Sequence, residues 1–297
     1  MKYILRSLLF VPGNKEDLML KAAKTNADAI IFDLEDSVLD TAKQKARHVI
    51  KNILETDLFD KFHIFIRLND IGSGYLEEDV SQLICNKITG FIFPKAYTRD
   101  DVLHFEKILK RAEQKAGIQN NKIKILPLIE TASAVLHAED ICRCSERIIA
   151  IVFGSEDFCT DLKGIHDKTH DALFVPRALI ALAARAAGII PIDTLNVNLN
   201  DMEDLERNLK LGRKLGFEGK LLLHPKEIEL THQYFTPSEK EYEKALKIIK
   251  LAQEAAKQNL RVAIIDDTFI GPPMVRQAEN TISRFKQIKK WEEFRRK

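Results

Sequence analysis

Short apolar runs rich in Ile, Val and Phe recur at positions 8–11, 29–32, 64–67, 90–93, 125–129, 148–153, 188–192 and 220–223. Between them lie longer segments in which apolar residues return with helical period, so strand and helix alternate along the chain. Runs that are apolar on both faces suit strands with helices outside and packed side chains within. Eight such units in about 225 residues predict an α/β fold, a (β/α)8 TIM barrel, whose usual length is ~250 residues. An open doubly wound sheet is the alternative, but no Gly-rich dinucleotide turn follows the first run. Pro191 weakens the seventh run, because proline removes a ladder donor from a central strand.

The helix ends are also legible. Asn14 with Asp17, and Thr98 with Asp101, are spaced as N-caps with an acidic third position, while Gly117, Gly188 and Gly216 follow helical segments as C-terminal stops. Residues 171–187 predict an Ala-rich outer helix. After the eighth run the character changes: Ser238 and Glu241 form a capping-box spacing, and Tyr242, Leu246, Ile249 and Ala256 mark the apolar stripe of a new helix. A short extended piece at 261–265, a turn at Asp266-Asp267 and a final helix from about Met274 complete the chain. The reading is a catalytic barrel over 1–236 and a C-terminal helical extension over 237–297, free to serve as a lid or an oligomer contact.

Composition narrows the classes. With 46 Lys+Arg against 44 Asp+Glu the net charge is +2, which gives no field for drawing a polyanion, and no basic stripe interleaved with aromatics is present. Nucleic acid is therefore not expected as a partner. Cys85, Cys142, Cys144 and Cys159 are too irregularly spaced for a secreted disulfide framework or a zinc site. The N-terminal apolar run is interrupted by Arg6 and Ser7 and closed by Pro12-Gly13, unlike a signal peptide, and no run approaches the ~18 residues of a membrane span. A cytoplasmic protein with reduced thiols and no membrane association is expected.

In such barrels the active site lies at the C-terminal ends of the strands. There the sequence places Asp33-Leu34-Glu35-Asp36, Arg67 and Asn69, Pro94-Lys95, Glu130, Gly154-Ser155-Glu156-Asp157, Asp193 and His224. Glu130 and Asp157 offer hard oxygen ligands with no His or Cys near them in sequence, a pattern that suits Mg2+ better than zinc. Arg67 could hold a carboxylate by a two-pronged charge-assisted bond. Together these three predict a site for a small 2-oxo or 2-hydroxy acid chelated to the metal. The competing reading of each is a salt-bridged strand-end residue. Lys95 is a carboxylate or phosphate contact or an ion-pair partner rather than a Schiff base, His224 is structural before Pro225, Cys159 is packing, and the Arg295-Arg296-Lys297 tail is a solvated helix end.

The strings RSLLFVPGNKED, ADAIIFDLEDSV, IRLND, IFPKA, LPLIETASAV, VFGSEDFCTDL, ALAARAAGIIPIDT and GFEGKLLLHPKEI, in this order and over almost the whole chain, resemble the citrate lyase beta-subunit family, relatives of malyl-CoA and citramalyl-CoA lyases. The resemblance implies a homotrimer or larger assembly with a C-terminal lid, metal carboxylates at Glu130 and Asp157, and a carboxylate-binding Arg67. It also implies that Glu35 and Asp36 hold metal waters. The activity implied is Mg2+-dependent cleavage, or formation, of a 3-hydroxyacyl-CoA-like thioester from acyl-CoA and a 2-oxo acid. A citrate lyase subunit would further imply acyl carrier protein and transferase partners.

One motif departs from the pattern. Relatives of the malyl-CoA lyase type carry an aspartate in a lid motif resembling Met-Ile-Asp-x-Pro, and here the matching stretch is Phe269-Ile270-Gly271-Pro272-Pro273. Gly271 cannot act as a base, which puts thioester hydrolysis and synthase activity in doubt; Asp266 and Asp267 are the nearest acids but sit at a turn. Two other readings therefore stand beside the lyase: a metal-dependent aldolase for a free hydroxy acid, with a metal-bound hydroxide or Asp36 as base, and a non-catalytic ligand-binding or assembly protein.

Overall fold

The computed structural model describes residues 3–165, 167, 169–257, 263–265 and 268–296; Asp266, Asp267 and Lys297 lie outside them. All eight apolar runs are parallel strands: β1 (Ser7–Pro12), β2 (Ala29–Asp33), β3 (His63–Arg67), β4 (Gly90–Phe93), β5 (Lys124–Ile129), β6 (Ala150–Phe153), β7 (Ile190–Asp193) and β8 (Gly219–Leu222). They pair in chain order and β8 returns to β1, closing the (β/α)8 barrel. The alternation of side chains sends Phe10 and Pro12 of β1, Asp33 of β2, Arg67 of β3, Leu128 of β5 and Leu221 of β8 to one mouth of the barrel, where they line a single cavity. Among the described residues no helix is long and apolar enough to cross a membrane.

Pro191 does sit in β7, paired with Ile151 of β6. Its carbonyl accepts from the Glu218 amide at 3.0 Å. Ladder alternation would aim its missing N–H at the Gly216 carbonyl, and that carbonyl instead accepts from Arg185 Nη2 at 2.5 Å. No acceptor is orphaned, which removes the cost of proline in a closed sheet.

Thr98 and Asp101 form the expected capping box, and Gly117, Gly188 and Gly216 end their helices in the left-handed conformation that glycine adopts without strain. The first helix differs from expectation. A turn in which the Lys15 amide donates to the Pro12 carbonyl makes Lys15, not Asn14, the N-cap of Glu16–Ala22, and no side chain caps it.

Buried ion pairs link the strand entries and the helices of the outer layer to one another. Arg6 holds Asp28 at 2.8 Å, Arg47 holds Asp79 at 2.7 Å, and Arg147 holds Glu113 at 2.7 Å. Asp193, expected among the active-site candidates, faces outward into the same layer, where Arg177 of the helix Asp171–Ala187 pairs with it.

Lys220 of β8 is wholly buried, and its ammonium donates to the Thr194 carbonyl. Burial pushes it down to about 8, against the pull of Asp193. Between about pH 8 and the ordinary lysine value near 10.4, the unfolded chain holds a proton that the native chain has released, so this group makes stability rise with pH. Below that window the buried charge is present in full, at a cost on the order of 3 kcal/mol. Lys220→Met is expected to raise the urea midpoint at pH 7, with the advantage shrinking toward pH 10. A constant advantage across that range would show that the charge is not the cause.

The chain divides into two compact units, Leu5–Thr231 and a second formed by Met1–Ile4 with His232–Lys297. In the second, the helix Glu239–Lys257 starts at the expected Ser238–Glu241 box, with Ser238 N to Glu241 Oε2 at 2.8 Å. Its buried side runs through Ala245 and Ala255, leaving Leu246 42% exposed, one position off the expected stripe. An antiparallel hairpin of β9 (Ala263–Ile265) and β10 (Thr268–Ile270) leads into the helix Pro272–Arg296. That helix begins two residues before Met274, because Pro272 fits the first helical position and the Gly271 carbonyl accepts from the Met274 amide at 3.0 Å. Tyr242 stacks on Phe285 at 4.3 Å, and Ile4, Ile288 and Trp291 form a small core.

Candidate active site

The C-terminal mouth of the barrel holds a cavity of about 400 Å³. Its charged lining, Asp33, Asp36, Arg67, Glu130, Glu156 and Asp157, comes from β2, β3, β5 and the turn after β6, while Leu195 follows β7, Leu221 and Leu223 end β8, and Leu128 lies on β5 below Glu130. Arg67, Asp36, Glu130 and Asp157 thus share one cavity as the sequence led us to expect. Glu35 and Lys95 stand just behind them in contact with Arg67 and Glu130.

Arg67 is the hub, and its partners differ from the expected ones. Asp33 lies beside it in the β2–β3 register. The two form the two-pronged pair, Nε to Oδ1 at 2.6 Å and Nη2 to Oδ2 at 2.8 Å. The fork assigned to a substrate carboxylate is thus occupied by Asp33. Nη1 meets Glu35 Oε2 and Asp36 Oδ2, each at 3.0 Å, and the guanidinium carbon lies 4.9 Å from the centre of the Phe10 ring, a cation–π contact. Burial works to raise the Asp33 carboxyl, yet the Arg67 charge and hydrogen bonds outweigh it and hold Asp33 below its ordinary value. Ser37 and the Glu35 amide complete its partners, at 2.5 and 3.0 Å.

Glu130, at the end of β5, is 3% exposed and accepts one hydrogen bond, from the Lys95 amide at 3.0 Å. That amide is aimed by a left-handed turn at Lys95, φ 50°, an uncommon conformation for a non-glycine residue. Burial, then the negative charge of Glu35, pushes Glu130 up to about 8. Burial also raises Glu35 to about 7, with Asp36 and Asp33 adding to the rise against Arg67 and Lys95. Lys95 Nζ lies 3.4 Å from Glu35 and 3.5 Å from Asp70; despite partial burial these carboxylates hold it up to about 12. These are ion-pair contacts, one of the two roles that the sequence suggested beside a carboxylate or phosphate contact.

Gly154, the residue between β6 and the helix Ser155–Leu162, packs against Glu130. A Cβ there would lie 2.6 Å from Glu130 Cγ and 2.8 Å from Oε1. Asp157 stands exposed in the first turn of that helix.

A divalent cation fits this set. Among the described residues no group of three or more His, Cys, Asp or Glu closes on one point. Two carboxylates with open positions for water and substrate is the Mg2+ pattern, and a Glu130 raised by burial and like charge is a carboxylate short of positive charge.

Other candidates are structural. His224 caps the turn Pro225–Glu227, accepting from the Lys226 amide through Nδ1 at 3.1 Å. Asn69 donates to Asp79 at 2.7 Å, and Cys159 is buried. Asp33, Ser37, Phe10 and Gly154 were not assigned roles from sequence. Asp33 alone carried a signal, as the first acid of a strand-end triplet.

Residues 6–225 match the family described as HpcH/HpaI aldolase/citrate lyase. The citrate lyase subunit beta of Haemophilus influenzae is 32% identical over 281 residues, 95% of this chain and 97% of that protein. The (3S)-malyl-CoA thioesterase of Cereibacter sphaeroides is 31% identical over 284 residues, 95% of each chain. Among solved structures, the CitE protein of Mycobacterium tuberculosis in complex with magnesium, acetoacetate and coenzyme A superposes with a TM-score of 0.76 at 22% identity, covering 96% of this chain and 100% of that one. With a closed barrel, charged residues gathered at its C-terminal mouth and a family match over most of its length, this chain belongs to the HpcH/HpaI aldolase/citrate lyase family.

Proposed function

We propose that this protein is a Mg2+-dependent carbon–carbon lyase that cleaves, or forms, a 3-hydroxyacyl thioester from an acyl thioester and a 2-oxo acid. The observation that carries this reading is the buried, cation-demanding Glu130 in one cavity with Asp157 and the Arg67 guanidinium. Glu130 and Asp157 would hold the metal. When bound, Mg2+ would supply Lewis-acid polarisation of the oxo group.

The chain's own groups do the rest. Arg67, locked by Asp33 and stacked on Phe10, presents Nη1 to the substrate carboxylate. Asp36, 64% exposed at its side chain, yields its place on Nη1 and takes the proton of the 3-hydroxyl. The C2–C3 bond of the thioester then breaks, its electrons passing to the acyl α-carbon as the enolate, the alkoxide becomes the carbonyl of the 2-oxo acid, and Asp36 returns its proton to the α-carbon to release the acyl thioester. Glu35, between Arg67 and Lys95, keeps both cations oriented. The thioester carrier is coenzyme A or an acyl carrier protein; the latter would make the chain one subunit of a larger assembly, with homotrimers as its expected core. Gly271 in place of a lid acid favours the aldolase reading for free hydroxy acids.

Mass-spectrometric turnover with Mg2+ separates these readings: acetyl-CoA and propionyl-CoA with 2-oxo acids, the reverse cleavages, and free hydroxy acids. Turnover confined to thioesters is expected. Turnover of free hydroxy acids alone would replace the thioester reading with the aldolase, and silence on all substrates would favour a binding protein.

Gly154→Ala should displace the Glu130 carboxylate, since the nearest atoms are those of that side chain. Calorimetry is expected to show Mg2+ affinity reduced at least about tenfold with an unchanged circular dichroism spectrum. Unaltered affinity would mean that Glu130 Oε1 is not a ligand.

A further inference from the structure

Resting on the lyase reading above, we infer that the acceptor is a 2-oxo monocarboxylate with a small apolar substituent, the pyruvate type, and that 2-oxo dicarboxylates are rejected. The cavity has two unlike walls. Arg67 is the one cationic side chain among its described lining residues, and it already faces three carboxylates. Five acids line the same space, Asp33, Asp36, Glu130, Glu156 and Asp157. Lys95, the nearest other cation, has its ammonium between Glu35 and Asp70.

With Glu130 and Asp157 holding the metal, a 2-oxo acid would direct its polar end, carboxylate and oxo oxygen, toward them and Arg67. Its third substituent must then turn from the charged wall. Leu195 after β7 and Leu221 and Leu223 at the end of β8 line the side of the closed barrel away from β3, with Leu128 beneath Glu130 on β5. A methyl or ethyl group gains contact there as it leaves water. A second carboxylate would be desolvated against leucines with no described cation to pair it, in a cavity already rich in negative charge. Glyoxylate, with hydrogen in that position, would leave the leucines uncovered and bind more weakly than pyruvate.

Calorimetric titration of the Mg2+-loaded protein with pyruvate, 2-oxobutyrate, freshly dissolved oxaloacetate and 2-oxoglutarate tests this without requiring turnover. Pyruvate and 2-oxobutyrate are expected to bind at least tenfold more tightly than either dicarboxylate. Leu223→Arg, which adds a cation to the apolar wall, is expected to narrow or reverse that ratio, and the wild-type ranking stands as the test should the variant not fold. Oxaloacetate binding as tightly as pyruvate would overturn the inference while leaving the lyase reading intact. Absence of binding by all four acids would overturn both.

Discussion

Glu130→Gln is expected to lower turnover by about a thousandfold while leaving the barrel as stable as before, or more so, in the absence of Mg2+. The loss follows from removing the buried anion that draws the metal. The gain in stability follows from its environment: Glu130 shares its surroundings with Glu35, and burial plus like charge raises the two to about 8 and about 7. Between the ordinary glutamate value near 4.3 and pH 8, the native chain holds protons that the unfolded chain has released. Stability therefore falls as pH rises through that window, and the glutamine variant should show a shallower slope. Saturating Mg2+ should flatten the wild-type slope in the same way. Urea midpoints from pH 5 to 8.5, with and without Mg2+, read all three effects; parallel curves for wild type and variant would contradict the assignment.

Arg67→Lys is expected to cost about a hundredfold or more in kcat/KM and to destabilise the fold by about 2 kcal/mol. Lysine keeps the charge but cannot make the paired bonds of Nε and Nη2 to the buried Asp33 while a third nitrogen faces the cavity. The two losses can be separated with Asp33→Asn. If Arg67 acts through its pairing with Asp33, the double variant should lose less than the sum of the single variants. Additive losses would mean that Asp33 does not position Arg67.

Much of this architecture is written in local pattern. Each barrel strand is a short apolar run, so the eight strands, and the placing of Glu130, Asp157, Arg67, Glu35, Asp36 and Lys95 at or just after their C-terminal ends, were legible from sequence alone. What was hidden depends on register and backbone shape. Asp33 and Arg67 are 34 residues apart, and only the β2–β3 pairing reveals that Asp33 takes the fork assigned to substrate. The left-handed turn at Lys95 that aims an amide at Glu130, and the missing Cβ of Gly154 that makes room for it, leave no periodic trace. Asp193 follows a strand like the others, but its side chain turns outward to Arg177. Pro191 misleads in the other direction, since Arg185 supplies the donor that the ladder lacks.

The most direct test is the rate of 2-oxo acid release from a 3-hydroxyacyl thioester as a function of free Mg2+, for the wild type and Asp157→Asn. The expected result is no release after chelation, saturable recovery on adding Mg2+, and a half-saturating concentration at least about tenfold higher in the variant. Full activity after chelation, or superimposable Mg2+ curves for the two proteins, would contradict a metal site built on Glu130 and Asp157.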